Sequence, residues 1–125
     1  MKRVTGLGGV FFKSRDPQSS RDWYASHLGI PMESWGAQFP WRDHANPDIE
    51  GYSVFSLFEA NTAYMSPSEQ PFMVNFRVDD LHALIAELKK EGIETIGEVD
   101  ESEFGKFGWI LDPDGVKIEL WEPPK

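Results

Sequence analysis

The chain repeats itself. The stretch "FFKSRDPQSSRDWYASHLGIP" (Phe11–Pro31) lies over "NFRVDDLHALIAELKKEGIET" (Asn75–Thr95), with Phe12 on Phe76 and Asp16 on Asp80, both 64 residues apart, and Gly29 on Gly92, 63 apart. One residue gained or lost in the helical part accounts for the difference. A repeat of this kind governs the whole fold assignment, because every local reading must then hold twice.

Each copy reads strand, aspartate, helix, glycine, strand. Asp16 is a suitable N-cap, and Pro17 suits the first helical position, where its missing N–H costs nothing. The helix that follows carries Trp23, Tyr24 and Leu28 on one side and stops at Gly29, a natural residue just past a helix end. In the second copy Asp79 or Asp80 caps the helix. Leu81, Leu84, Ile85 and Leu88 fall at i, i+3, i+4 and i+7, the stripe of a helix lying on a sheet, and Gly92 ends it. The strands before the helices alternate. Val10 and Phe12 oppose Phe11 and Lys13, and Val74, Phe76 and Val78 oppose Met73, Asn75 and Arg77. Further strands are predicted near Met32–Trp35, Gln38–Arg42 and Tyr52–Phe58, then near Thr95–Val99, Lys106–Leu111 and Val116–Trp121. The last two are joined by Asp112-Pro113-Asp114-Gly115, a type I turn sequence leading into a hairpin. The expected fold class is α+β: two βαβββ modules, about 4–64 and 70–123 of a single domain spanning 1–125. They form a cupped mixed sheet around a cleft, with one helix per module on the convex face.

At 125 residues the chain fits one ordinary domain. Its net charge of −9, from 12 basic and 21 acidic residues, repels nucleic-acid backbones and anionic membranes and attracts cations. No apolar run approaches the roughly 20 residues of a membrane span. The opening "MKRVTGLGGVFF" is broken by glycines and followed by Lys13 and Arg15, so a signal peptide is not expected. With no cysteine, disulfide and thiolate chemistry are excluded, and a cytoplasmic setting is expected.

Three stretches together resemble the vicinal oxygen chelate superfamily, the group of glyoxalases, bleomycin-resistance proteins and extradiol dioxygenases. They are the "D-P…WY…LG" pattern of Asp16–Gly29, "FRVDDLHALIAELKKEGI" and "DPDGVKIELWEP", and they cover essentially the whole chain. The resemblance implies the fold but not the reaction, since this family hosts lyases, isomerases, dioxygenases, thiol transferases and plain drug binders. In its metal-dependent members, each module gives one residue from its first strand, usually His, and one from its last, usually Glu. Carried onto this sequence, those positions are Gly9 (in "GGVFF", where relatives read Gly-His-Val), Met73, Ser56 and Glu119. A one-residue shift would put Phe55 in place of Ser56. Only Glu119 matches. Glycine has no donor, a thioether is too soft for the divalent ions these enzymes use, and a serine hydroxyl is weak. One carboxylate does not make a site that needs about three good ligands. No metal and no other cofactor is therefore expected.

Glu119 shares a face with Lys117 and Trp121. Three roles stay open for it: a salt bridge in the cleft with Arg77 or Lys117, a polar anchor for a ligand, or a general base poised by burial among aromatics. Arg77 either snorkels to the rim with its stem on an aromatic ring or forks onto a carboxylate or enolate oxygen. Glu119 and Arg77 are the candidate catalytic pair. Phe11, Ser56, Met73, Asn75, Trp109, Lys117 and Trp121 are the candidate ligand-binding residues. Aromatics in Ser34–Tyr52, with Phe104 and Phe107 after the acidic run "EVDESE", are expected near the cleft mouth, where they could stack on a flat or cationic ligand. His27 and His82 fall on outer helix surfaces. His44, in "RDHANPDIE", reads as part of a polar loop rather than a surface metal site. No Gly-x-Ser-x-Gly elbow, phosphate loop, dinucleotide-binding fingerprint or His-Glu-x-x-His is present. The expected function is binding of a small aromatic or cationic molecule in a metal-free cleft. The alternative is a lyase or isomerase using Glu119 as base or a divalent metal. The expected partners are that small molecule and, as in many relatives, a second copy of the chain.

Overall fold

The computed structural model describes residues 2–125. The element order is β1 (Val4–Ser14), α1 (Pro17–Leu28), β2 (Ala37–Arg42), β3 (Glu50–Glu59), β4 (Phe72–Val78), α2 (Leu81–Lys90), β5 (Asp100–Ser102), β6 (Gly105–Leu111) and β7 (Lys117–Glu122). All seven strands form one mixed, open sheet in the order β2-β3-β1-β4-β7-β6-β5. The fold is α+β, as the repeat implies.

The repeat shows in the pairing. β1 runs parallel to β3, β4 runs parallel to β7, and β1 and β4 join the modules antiparallel within one chain. Phe11 stands opposite Ser56 as Asn75 stands opposite Glu119, and these pairs are related by the same offsets of 64 and 63 residues. Ser56, not Phe55, is therefore the counterpart of Glu119. Phe55 points to the other face, where its ring meets Tyr24 edge-on at 4.9 Å.

Local chemistry sets the helices. Asp16 and Asp80 each accept an N–H three residues on, from Ser19 and Ala83. Gly29 and Gly92 leave the helices in left-handed backbone at φ 68° and 83°. Val10 pairs with Val74, so both helices lie on one face of the sheet. There α2 buries Leu81, Leu84 and Ile85 against Val78 and Leu120. α1 does not match it. Its only buried residue is Pro17, and Trp23 and Leu28, read as lying on one side of the helix with Tyr24, are exposed.

Two strand expectations need correction. Met32–Trp35 is not a strand: Glu33 and Gly36 exchange backbone hydrogen bonds, and Gly36 adopts φ 137°, which folds the stretch into a tight turn. Module one thus has three strands. The predicted strand at Thr95–Val99 is reduced to a single bridge, Thr95 with Ile110, and the regular strand follows at Asp100–Ser102. The hairpin turn forms as read. Gly115 N–H donates to the Asp112 carbonyl at 3.0 Å, and the Asp112 side chain accepts from Asp114 and Val116 N–H. Among the described residues no helix is long and apolar enough to cross a membrane.

Candidate functional site

The face without helices carries the site. Strand alternation on β4 and β7 sends Met73, Asn75 and Arg77, and Lys117, Glu119 and Trp121, to that face. Asn75 and Glu119 are direct neighbours there and are nearly inaccessible, at 2% and 3% exposure.

Glu119 is held by three donors. Its Oε1 accepts from Asn75 Nδ2 at 2.6 Å. Its Oε2 accepts from Trp109 Nε1 at 2.9 Å and from the Tyr64 hydroxyl. A carboxylate offers only acceptors, so the bond to Oε1 fixes which way the Asn75 amide points. That leaves Asn75 Oδ1 buried with no hydrogen-bond partner. The atom lies over Gly8, where a Cβ would collide with it and meet the Trp121 ring at 3.2 Å. A bulge in β1 between Leu7 and Gly9 creates this arrangement.

The segment joining the two modules supplies a plug. Tyr64 bonds to Glu119, and its backbone carbonyl accepts from Lys117 Nζ at 2.6 Å. Met65 is fully buried against Phe11 and Met73. Burial, the Glu119 charge and the hydrogen bond to it hold the Tyr64 hydroxyl well above the usual phenol range. Burial pushes the Lys117 ammonium down, and Glu119 partly opposes that.

Neither expected salt bridge of Glu119 forms. Lys117 is spent on the Tyr64 carbonyl. Arg77 lies between the rings of Trp41 and Trp121, 5.0 and 4.9 Å from their centroids, with Tyr52 at 6.0 Å. Its side chain donates a hydrogen bond to the Tyr52 carbonyl at 3.2 Å. Desolvation by these rings lowers its pKa from the usual guanidinium value. Phe107 stacks on Trp121 at 6.1 Å with planes 8° apart, so a continuous layer runs from β6 across β7 and β4 to β2.

Beside this layer opens a cavity of about 570 Å³, the size of a small-molecule site. Phe11, Trp35, Tyr52, Phe104, Phe107 and Trp121 form its aromatic walls, and Gln38, Asn75 and Glu119 supply its polar side chains. Among the described residues no Lys or Arg lines it. The turn that replaces the expected strand brings Trp35 here, and the Trp35 carbonyl is tied down by Ser56 Oγ at 2.5 Å.

Of the residues picked out from sequence, Phe11, Asn75, Glu119 and Trp121 therefore meet on the cavity. Met73, Trp109, Lys117 and Ser56 lie behind it, and Arg77 sits within the aromatic layer, between Trp41 and Trp121, rather than on the cavity wall. Tyr64 was missed, because it falls at the very end of module one, past its last strand and outside any periodic pattern. Gln38 and Gly8 were missed as well. Gly8 carried a legible signal, since paired glycines in a strand suggest a bulge or close approach.

The four metal positions do not fit an ion. A side chain at Gly9 would meet the Val54 carbonyl oxygen at 2.6 Å. Met73 is fully buried in an apolar cluster, Ser56 is bonded to Trp35, and Glu119 already takes three donors. Among the described residues no group of three or more His, Cys, Asp or Glu could hold a metal. His44 sits in an exposed loop whose N–H groups at Ala45 and Asn46 are bound by Asp43.

Residues 7–120 match the family model described as Glyoxalase/Bleomycin resistance protein/Dioxygenase superfamily. Among curated proteins no match was found. Solved structures share the fold. A variant of methylmalonyl-CoA epimerase from Streptomyces coelicolor, in complex with 2-nitronate-propionyl-CoA, superposes with a TM-score of 0.72 at 16% identity, covering 98% of this chain and 99% of that one. Methylmalonyl-CoA epimerase from Mycobacterium tuberculosis gives 0.64 at 22% identity, covering 98% and 90%. The Mn(II)-bound glyoxalase from Novosphingobium aromaticivorans gives 0.63 at 19% identity, with 98% of this chain covering 40% of that one. At such identities the likeness is one of fold.

Proposed function

This chain belongs to the Glyoxalase/Bleomycin resistance protein/Dioxygenase superfamily, and from that we propose that it binds a small aromatic or cationic molecule in its cleft without a metal ion. One observation carries the reading. The single carboxylate among the four family positions is occupied by Tyr64, Trp109 and Asn75, while an aromatic-walled cavity opens beside it. Stacking on Phe107 and Trp35 supplies affinity for a flat ring, and the net charge of −9 favours cations at long range. Titrating planar aromatics into metal-stripped protein, followed by calorimetry, tests this. Binding that survives chelator supports it, and a broad aromatic panel that fails to bind even at millimolar concentration contradicts it.

A second reading has one observation behind it. Glu119 lines the cavity, and its Oε1 accepts only from Asn75, so that oxygen keeps a lone pair for a proton. A lyase or isomerase with Glu119 as base would use that oxygen. Glu119→Gln should then abolish turnover while leaving ligand affinity within a few-fold. Arg77 would reach an oxyanion only by leaving its stack. We further propose a homodimer, formed through the apolar residues that α1 leaves open: Leu7 at 47% exposure, Phe39 at 44% and Phe12 at 37%. Light scattering across a concentration series measures this directly.

A further inference from the structure

Resting on the reading of this cleft as a small-molecule site, we infer that its ligand is a planar molecule presenting N–H or O–H donors at its inner end, and that the cleft disfavours carboxylic acids. The polar floor asks for donors. Asn75 Oδ1 has no partner although its residue is almost completely buried and lines the cavity. Its orientation is not free to change, because its Nδ2 is committed to Glu119. A flipped amide would set one acceptor against another. Glu119 Oε1 takes one bond where two fit, while Oε2 takes two. Native proteins rarely leave such a buried acceptor unmatched, so an amide oxygen without a partner, in a residue that lines a cavity, marks the place of an absent donor.

The two cations near the floor do not offset this. Lys117 Nζ is bound to the Tyr64 carbonyl, and the Arg77 guanidinium is sandwiched by Trp41 and Trp121. An acid would bring its charge to Glu119 with no lining cation to meet it. A ligand with a flat body instead finds ring faces at Trp35 and Phe107 above the floor. Gly8 completes the fit, since any side chain there would fill the space over Asn75 Oδ1.

Four probes of one shape test this: benzamidinium, benzamide, benzonitrile and benzoate. They differ in donors and charge but share the ring. Binding is read by NMR shifts of the backbone amides of Gly8 and Asn75 and of the Asn75 side-chain NH₂. The neutral pair removes the influence of net charge. Benzamide should bind at least about tenfold tighter than benzonitrile, with benzoate weakest. Asn75→Leu, which removes Oδ1 but leaves the Glu119 oxygen in place, should shrink the ratio of benzamide to benzonitrile affinity. If that variant does not fold, the wild-type comparison of benzamide with benzonitrile decides alone. Equal binding of the neutral pair, with only benzamidinium stronger, would show attraction by charge and overturn the inference. Benzoate binding as well as benzamide would overturn it too. Both outcomes leave the cleft standing as a ligand site, whereas no binding by any probe at millimolar concentration removes the site and the inference together.

Discussion

One hydroxyl, that of Tyr64, decides what Glu119 can do. It occupies one oxygen of the carboxylate, and the Tyr64 backbone occupies Lys117 as well. Tyr64→Phe removes a hydrogen bond to a buried carboxylate and should cost about 1–2 kcal/mol, measured by urea unfolding. The pH dependence follows from the raised Tyr64 pKa. In the unfolded chain a tyrosine ionises near its ordinary value of 10.0, while in the fold Tyr64 keeps its proton above that. The native state then binds more protons, so this contribution to stability is complete below pH 10 and falls as the pH rises past it. Ultraviolet titration should show one of the three tyrosines failing to ionise until the protein unfolds. At Gly8 the limit is space. Gly8→Ala should destabilise by about 1–3 kcal/mol, because a methyl group there presses on Asn75 and Trp121.

The two helices, though copies in sequence, do different work. α2 buries three large side chains against β4 and β7, whereas α1 buries only its first proline. Leu84→Ala should cost about 2–4 kcal/mol, and Trp23→Ala should stay within about 0.5 kcal/mol, both read as urea midpoints. Much of this level was legible. Asp16, Asp80, Gly29 and Gly92 mark helix ends by local chemistry, and the Leu81–Leu88 stripe marks a buried face. The stretch Met32–Trp35 misled, because strand-like composition does not reveal a turn closed by Glu33 and Gly36. The lack of cover under α1 was hidden for a different reason: aromatic residues at helical spacing look the same whether or not anything packs on them. At the sheet margins the sequence also carries its own safeguards. Pro40 removes a backbone donor from edge strand β2, and Asp100 and Glu101 charge the short edge strand β5, which discourages pairing with other chains.

At the scale of the molecule, pairing of β1 with β4 builds one continuous sheet from both modules of a single chain, and residues of both modules line the cavity. The repeat made that architecture readable, because Phe12 on Phe76 and Asp16 on Asp80 fix two copies of one unit. The register of β1 with β3 and of β4 with β7 then places Ser56 and Glu119 as equivalents. The contents of the cleft were less readable. Tyr64 and Met65 come from the connection between β3 and β4, and only the folded chain brings them under Phe11, Met73 and Glu119. The central claim is that these residues have turned a metal-type cleft into a site for an organic ligand alone. Its most direct test is equilibrium dialysis of chelator-stripped protein against Mn²⁺, Ni²⁺ and Zn²⁺ in turn, with elemental analysis of the protein and a repeat on Glu119→Gln. The result expected is no stoichiometric uptake of any ion and no difference between the two proteins. One equivalent of metal bound by the wild type and lost in Glu119→Gln would contradict it.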